Sequence, residues 1–129
     1  MTTFIGRGPG TSPVTDFFPF SAALPSSPVI LITGTTAGAA NTIHTADAKA
    51  YDIPIIYVAN TSSTPLVAYL QMGSTATTQS IALSVATSSY GLIQPGTPIS
   101  GSGVVSIWAS AASGIAAYGG VTRTYTASA

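Results

Sequence analysis

The sequence predicts an all-β fold, an antiparallel sandwich or jelly roll of about eight strands with an extended N-terminal arm. Three observations carry this. Short apolar runs recur at roughly ten-residue spacing from Pro28 onward. The segments between them are turn chemistry, TGTTAG, TSSTP, TSS, PGTPISGSG and ASG. No stretch shows a helical apolar stripe with caps, although Ala is common.

The expected strands are Val29–Thr33, Asn41–Thr45, Ile53–Asn60, Leu66–Met72, Gln79–Val85, Tyr90–Gln94, Val104–Ala111 and Ile115–Tyr125. Ile81, Leu83 and Val85 alternate with Ala82 and Ser84, the pattern of a strand with one buried face. Val105, Ile107 and Ala109 repeat it, with Trp108 on the small-residue side. Ile53 to Ala59 is apolar on both faces, so it is either a central strand or one covered by another subunit; Pro54 favours the second, because Pro belongs at strand starts and edges. Ala46 to Asp52 reads as a loop or a single helical turn. Tyr118-Gly119-Gly120 reads as a bulge.

Residues 1–27 differ from the body, residues 28–129. Pro9, Pro13, Pro19 and Pro25 disfavour regular structure there, and GRGPG at Gly6–Gly10 adds freedom. TDFFPF, Thr15–Phe20, then gathers three of the chain's four Phe. Phe17, Phe18 and Phe20, with Arg7, are therefore expected to anchor an arm, either on a neighbouring subunit or folded back on the chain's own core.

Charge narrows the function. There are three Lys or Arg (Arg7, Lys49, Arg123), three Asp (Asp16, Asp47, Asp52), no Glu, one His and no Cys in 129 residues. A soluble domain ordinarily spends about a quarter of its residues on charge. With so few charges the surface is expected to be covered by partners or coated in hydroxyls. No basic excess is present to neutralise phosphates, which argues against nucleic acid. General acids, general bases and metal ligands come mostly from the missing residue types, so no enzyme, cofactor or metal is expected. His44 lacks a metal-ligand set and is expected to hydrogen-bond backbone or hydroxyl. Asp47, Lys49 and Asp52 around Tyr51 read as a solvated loop with a local ion pair, or as one side of an intersubunit pair with Arg7 or Arg123. Ile53, Ile55, Tyr57 and Arg123 are the remaining candidate interface residues. No signal peptide and no membrane-spanning run is visible, so synthesis in a cytoplasm without membrane partners is expected. The sequon Asn60-Thr61-Ser62 carries no weight without a secretory signal.

The segments Thr42–Ala46, Val58–Ser62, Leu70–Gly73, Leu92–Gly96 and Tyr118–Arg123, taken in order with the Ser/Thr/Ala-rich strands between them, resemble small β-sandwich virion structural proteins of tailed bacteriophages, of the decoration or cement kind. The resemblance implies a structural component of the particle that meets the major capsid protein or other virion proteins. It brings no catalytic residues. It also implies threefold sites, and hence a homo-oligomer, with a trimer favoured. A tail, neck or fibre component, or a carbohydrate- or host-binding β module presenting Tyr51, Tyr57, Tyr69, Tyr90 and Trp108, are the alternative readings.

Overall fold

The computed structural model describes residues 15–24, 26–73 and 80–125. Nine strands follow in chain order: β1 Thr15–Pro19, β2 Ile30–Ile32, β3 Asn41–Thr45, β4 Ala50–Asn60, β5 Leu66–Met72, β6 Ile81–Val85, β7 Tyr90–Ile93, β8 Val104–Ala109 and β9 Ile115–Tyr125. A single 3-10 turn at Ala37–Ala39 precedes β3. Among the described residues no helix is long and apolar enough to cross a membrane.

The strands form two antiparallel sheets, so the fold is the expected β-sandwich. One sheet runs β1-β9-β4-β7, with β2 sharing the β1 edge of β9; the other runs β3-β8-β5-β6. β1 pairs with residues 120–124 of β9 and β2 with residues 115–117, so the two short strands lie end to end along one long one. The chain passes between sheets at six of its eight connections, all but β1–β2 and β5–β6, so the core is built from both layers.

Period-two alternation builds that core. Along β4, positions 50, 52, 54, 56, 58 and 60 are buried and the intervening ones are not. Ile56 and Val58 share one core cluster with Ile115, Ala117 and Val121 of β9 and with Leu70, Val105 and Ile107 of the other sheet. Each such side chain contributes about 1.5–3 kcal/mol on full burial.

All eight expected strands are present, with described ends shifted by up to three residues; Gln79, the expected start of the strand that ends at Val85, lies outside the described residues. β4 begins at Ala50, so the stretch read as a loop or helical turn is partly strand. Tyr51 and Asp52 already pair with Thr124 and Arg123 of β9, and Asp52 exchanges backbone hydrogen bonds with Ile99 at 2.9 and 2.8 Å. β4 is a central strand, with β9 along its whole length and β7 beside residues 56–59. Pro54 fits there because its missing N–H falls on the β7 side, in the gap between the Ile99 bridge and the first β7 pair.

The ninth strand comes from the expected arm. Residues 15–19 pair with β9; residues 1–14, with Arg7, lie outside the described residues. Pro19 is tolerated because it ends an edge strand. The alternation turns Phe18 inward against the core and Phe17 outward, where it is 61% exposed. Phe20 is 1% exposed among the core residues. Of the three candidate anchors, Phe18 and Phe20 thus serve the chain's own fold, and Phe17 remains on the surface. The expected bulge at Gly119–Gly120 is absent, since the β4–β9 register runs unbroken through both. Both glycines are needed instead for close approach: a Cβ on Gly119, whose φ is +125°, would meet the Ile55 carbonyl, and one on Gly120 would meet the Phe18 carbonyl.

Two outcomes follow for chemical denaturation. Phe20→Ala is expected to cost about 3–5 kcal/mol, whereas Phe17→Ala, removing an exposed ring, is expected to stay within about 1 kcal/mol of wild type.

Candidate functional site

Two features stand out: a buried charge cluster and an uncharged outer sheet face. The cluster begins with a register irregularity. The β3–β8 pairing shifts between Thr42 and His44, and this bulge leaves both Ile43 and His44 buried, where strict alternation would bury one. His44 therefore projects from the four-stranded sheet toward β4 of the other. Its Nε2 lies 2.7 Å from Asp52 Oδ2, while its Nδ1 accepts the Ser21 backbone N–H at 3.0 Å. An accepting Nδ1 bears no proton, so Nε2 carries it and donates to Asp52.

Asp52 is fully buried. Arg123, its β9 partner, donates to Oδ1 from Nε at 2.8 Å and to Oδ2 from Nη2 at 2.9 Å, a bidentate clasp. Arg123 Nη1 also stands 3.6 Å from Asp47 Oδ2. The guanidinium lies 4.5 Å over the Phe18 ring, which meets Tyr125 edge-on. Burial alone pushes the Asp52 carboxyl up, but the hydrogen bonds from Arg123 and His44 outweigh it and hold the group below the ordinary 3.8. The Asp52 hydrogen bond correspondingly raises the Arg123 guanidinium above its ordinary value.

The cluster corrects two expectations. Asp52 is not in a solvated loop; its partner is Arg123 of the same chain. Arg123, named as a candidate interface residue, faces inward. His44 meets backbone as expected, and also a carboxylate. With both ring nitrogens engaged inside the fold, the imidazole offers no free nitrogen to a substrate. Among the described residues no three His, Cys, Asp or Glu are placed to hold a metal ion.

Asn60 is a second internal tie. Its side-chain amide donates to the Thr64 and Val85 carbonyls at 2.8 and 3.0 Å and its Oδ1 accepts from Ser62, fixing the turn that carries the chain from β4 to β5. The sequon Asn is thus buried structure.

The second feature is the outer face of the five-stranded sheet. Since Asp16, Asp52 and Arg123 all occupy inward registers, this face carries no charged side chain among the described residues. Across it, in register, stand Phe17, Thr122 and Ile53; then Pro19, Gly120 and Ile55; then Tyr118, Tyr57 and Leu92; then Leu31, Ala116, Ala59 and Tyr90. Tyr57 and Tyr118 stack at 5.3 Å. Tyr90 is 71% exposed and Leu31 and Leu92 are about half exposed. Ile53, Ile55 and Tyr57, the expected interface residues on β4, all lie here. Phe17, expected as an arm anchor, lies here too, and Leu31, Leu92 and Tyr118 join them; the outward phase of Tyr90–Ile93 was the signal for Leu92. On the opposite sheet Tyr69 and Trp108 stack on each other at 3.9 Å.

The fold and these features define an all-β sandwich with internalised charge and an apolar outer face. No protein-family model matches the chain, no curated protein matches it in sequence, and no solved structure matches it.

Because the folded Asp52 carboxyl sits below its ordinary value, the unfolded chain binds more protons in acid, and stability rises with pH there. Its contribution is complete above the ordinary 3.8 and is lost as pH falls from there toward the folded value. Asp52→Ala, which strands buried His44 and the partly buried Arg123, is expected to cost about 3–5 kcal/mol and to remove most of that acid dependence, read by urea titrations across pH. Asn60→Ala, leaving carbonyls and an N–H without partners, is expected to cost about 1–3 kcal/mol.

Proposed function

We propose that this protein is a non-enzymatic structural component of a phage particle, a decoration or cement protein of the head. The observation that carries the reading is the broad outer face of the five-stranded sheet, apolar and without charge, on a chain that turns three of its six charged residues, Asp16, Asp52 and Arg123, into the fold. Monomeric soluble proteins rarely expose contiguous apolar patches beyond a few hundred Å². A face of this kind suits a protein that works as one part of an assembly, where a desolvated charge without a partner would oppose association. The ordered likeness of the chain to small virion proteins supplies the kind of assembly.

A carbohydrate-binding module is less well supported. Such a site needs rings held free for a sugar, and Tyr69 and Trp108 are stacked on one another.

The test is co-sedimentation of the purified protein with separated heads and tails of the phage that encodes it, alongside a glycan array. Saturable binding to heads is the expected result. Binding to tails alone would move the protein to the tail, neck or fibre; binding to neither, with retention on glycans, would overturn the structural reading.

A further inference from the structure

We propose that His44 is an acid-operated latch: a proton taken at its Nδ1 releases Ser21 and uncovers the edge of β3. The inference goes beyond the structural role proposed above and does not depend on it.

The segment that carries the chain from β1 to β2 touches both sheets. Phe20 is buried in the core just beyond β1. The next two residues reach β3, an edge strand of the other sheet. Three hydrogen bonds hold them there. Ser21 donates its N–H to His44 Nδ1 at 3.0 Å, Ala22 donates its N–H to the Ile43 carbonyl at 3.1 Å, and the Ser21 hydroxyl accepts the Thr45 N–H at 2.8 Å. The segment therefore grips β3 at its bulge, where the register against β8 shifts.

The first of these bonds does not survive protonation of the ring. A backbone N–H only donates, so the nitrogen that faces it must be bare. An imidazolium carries hydrogen on both nitrogens and accepts at neither. Charging His44 would set two N–H groups head to head across 3.0 Å. Nε2 faces Asp52 Oδ2 at 2.7 Å and donates to it in either state, so the ring keeps its place on that side and the change falls on the Nδ1 side. The ring is 1% exposed, but Ser21 is on the surface. Once Ser21 swings out, water can accept the new N–H. The Ser21 hydroxyl leaves with it and the adjoining Ala22 bond is loosened, which opens the Thr45 N–H and the Ile43 carbonyl to another partner. Phe20 stays in the core, so the opening is local.

The charged groups on the surrounding elements are Asp52 of β4, Arg123 of β9 clasping it, Asp47 and Lys49 in the β3–β4 connection, and Asp16 of β1 across from Arg123. Val105, paired with His44 on β8, and Phe20, whose ring lies 6.1 Å away, are uncharged. Asp52 is held below the ordinary 3.8, and imidazoles as a class charge between about pH 5 and 8. A transition in that interval therefore belongs to the ring and not to Asp52.

Nuclear magnetic resonance of the full-length protein at about pH 8 and about pH 5 tests the latch. At the upper pH the ring-nitrogen shifts are expected to show Nε2 protonated and Nδ1 bare; at the lower, both protonated. Exchange protection of the Ser21, Ala22 and Thr45 amides is expected to fall on the order of tenfold between the two. That of Asn60 and Ala109, whose N–H groups are bonded elsewhere in the sandwich, is expected to hold. His44→Gln, whose carboxamide takes up no proton, is expected to show equal protection at both.

Four results would overturn the inference: Nδ1 protonated at the upper pH; a neutral ring at the lower; a charged ring with the three amides unmoved; or a fall that persists in His44→Gln or extends to Asn60 and Ala109. The first three are read on the unmodified protein, so they decide the matter even where His44→Gln fails to fold. None involves a phage particle, so the latch and the structural role stand or fall separately.

Discussion

The buried carboxylate of Asp52 is the constraint around which the molecule is organised. A lone ionised carboxylate inside a sandwich costs several kcal/mol. Here it is met by a bidentate guanidinium from β9, an imidazole N–H from β3 and the Asp47 backbone N–H. These partners reach it from both sheets, so the interior has one defined lateral register where apolar packing alone would tolerate sliding. The same group fixes the segment before the body. Ser21 donates its N–H to the far nitrogen of His44, and the Phe18 ring lies on Arg123. The aromatic segment is therefore held by polar geometry as well as by the burial of Phe20.

The cluster and the bare outer face are two sides of one arrangement. Asp52 and Arg123 are direct neighbours across β4 and β9, with Asp16 opposite Arg123 on β1. Strand alternation allows these three residues only one face. By taking the inner one they leave the outer one to Ile, Tyr, Leu, Thr and Ala. A single-residue slip of β9 against β4 would bury Thr122 beside Asp52 and carry Arg123 outside, so the ion pair selects the register that keeps the outer face uncharged.

The strands were legible because period-two patterning and Gly/Pro/Ser turns survive the biased composition, as Leu66–Met72 and Ile115–Tyr125 show. The cluster was harder to read. Continuing the alternation of Ile56 and Val58 back through Pro54 places Asp52 on the core face, and the same step from Val121 places Arg123 there; both signals are local and were present. The bulge that turns His44 inward has no local signature, since NTIHT reads as an unbroken strand. Nor does TDFFPF reveal by itself that its rings belong to β9, because pairing between residues about a hundred apart is set by the closing strand of the sandwich and not by the segment. Gly119 and Gly120 looked like a bulge because glycine marks both bulges and close backbone approach, and only the neighbouring carbonyls distinguish the two.

The uncharged sheet face also bears on the conditions under which the protein would keep its contacts. Attraction between charged surfaces fades as dissolved ions accumulate, because the Debye length shrinks from ~30 Å in dilute solution to ~3 Å in brine. Contacts made from Tyr, Leu, Ile and Ala have no such dependence, and strongly hydrated anions such as sulfate strengthen them. Contacts made by a surface of this composition hold in fresh water and in a salt lake alike.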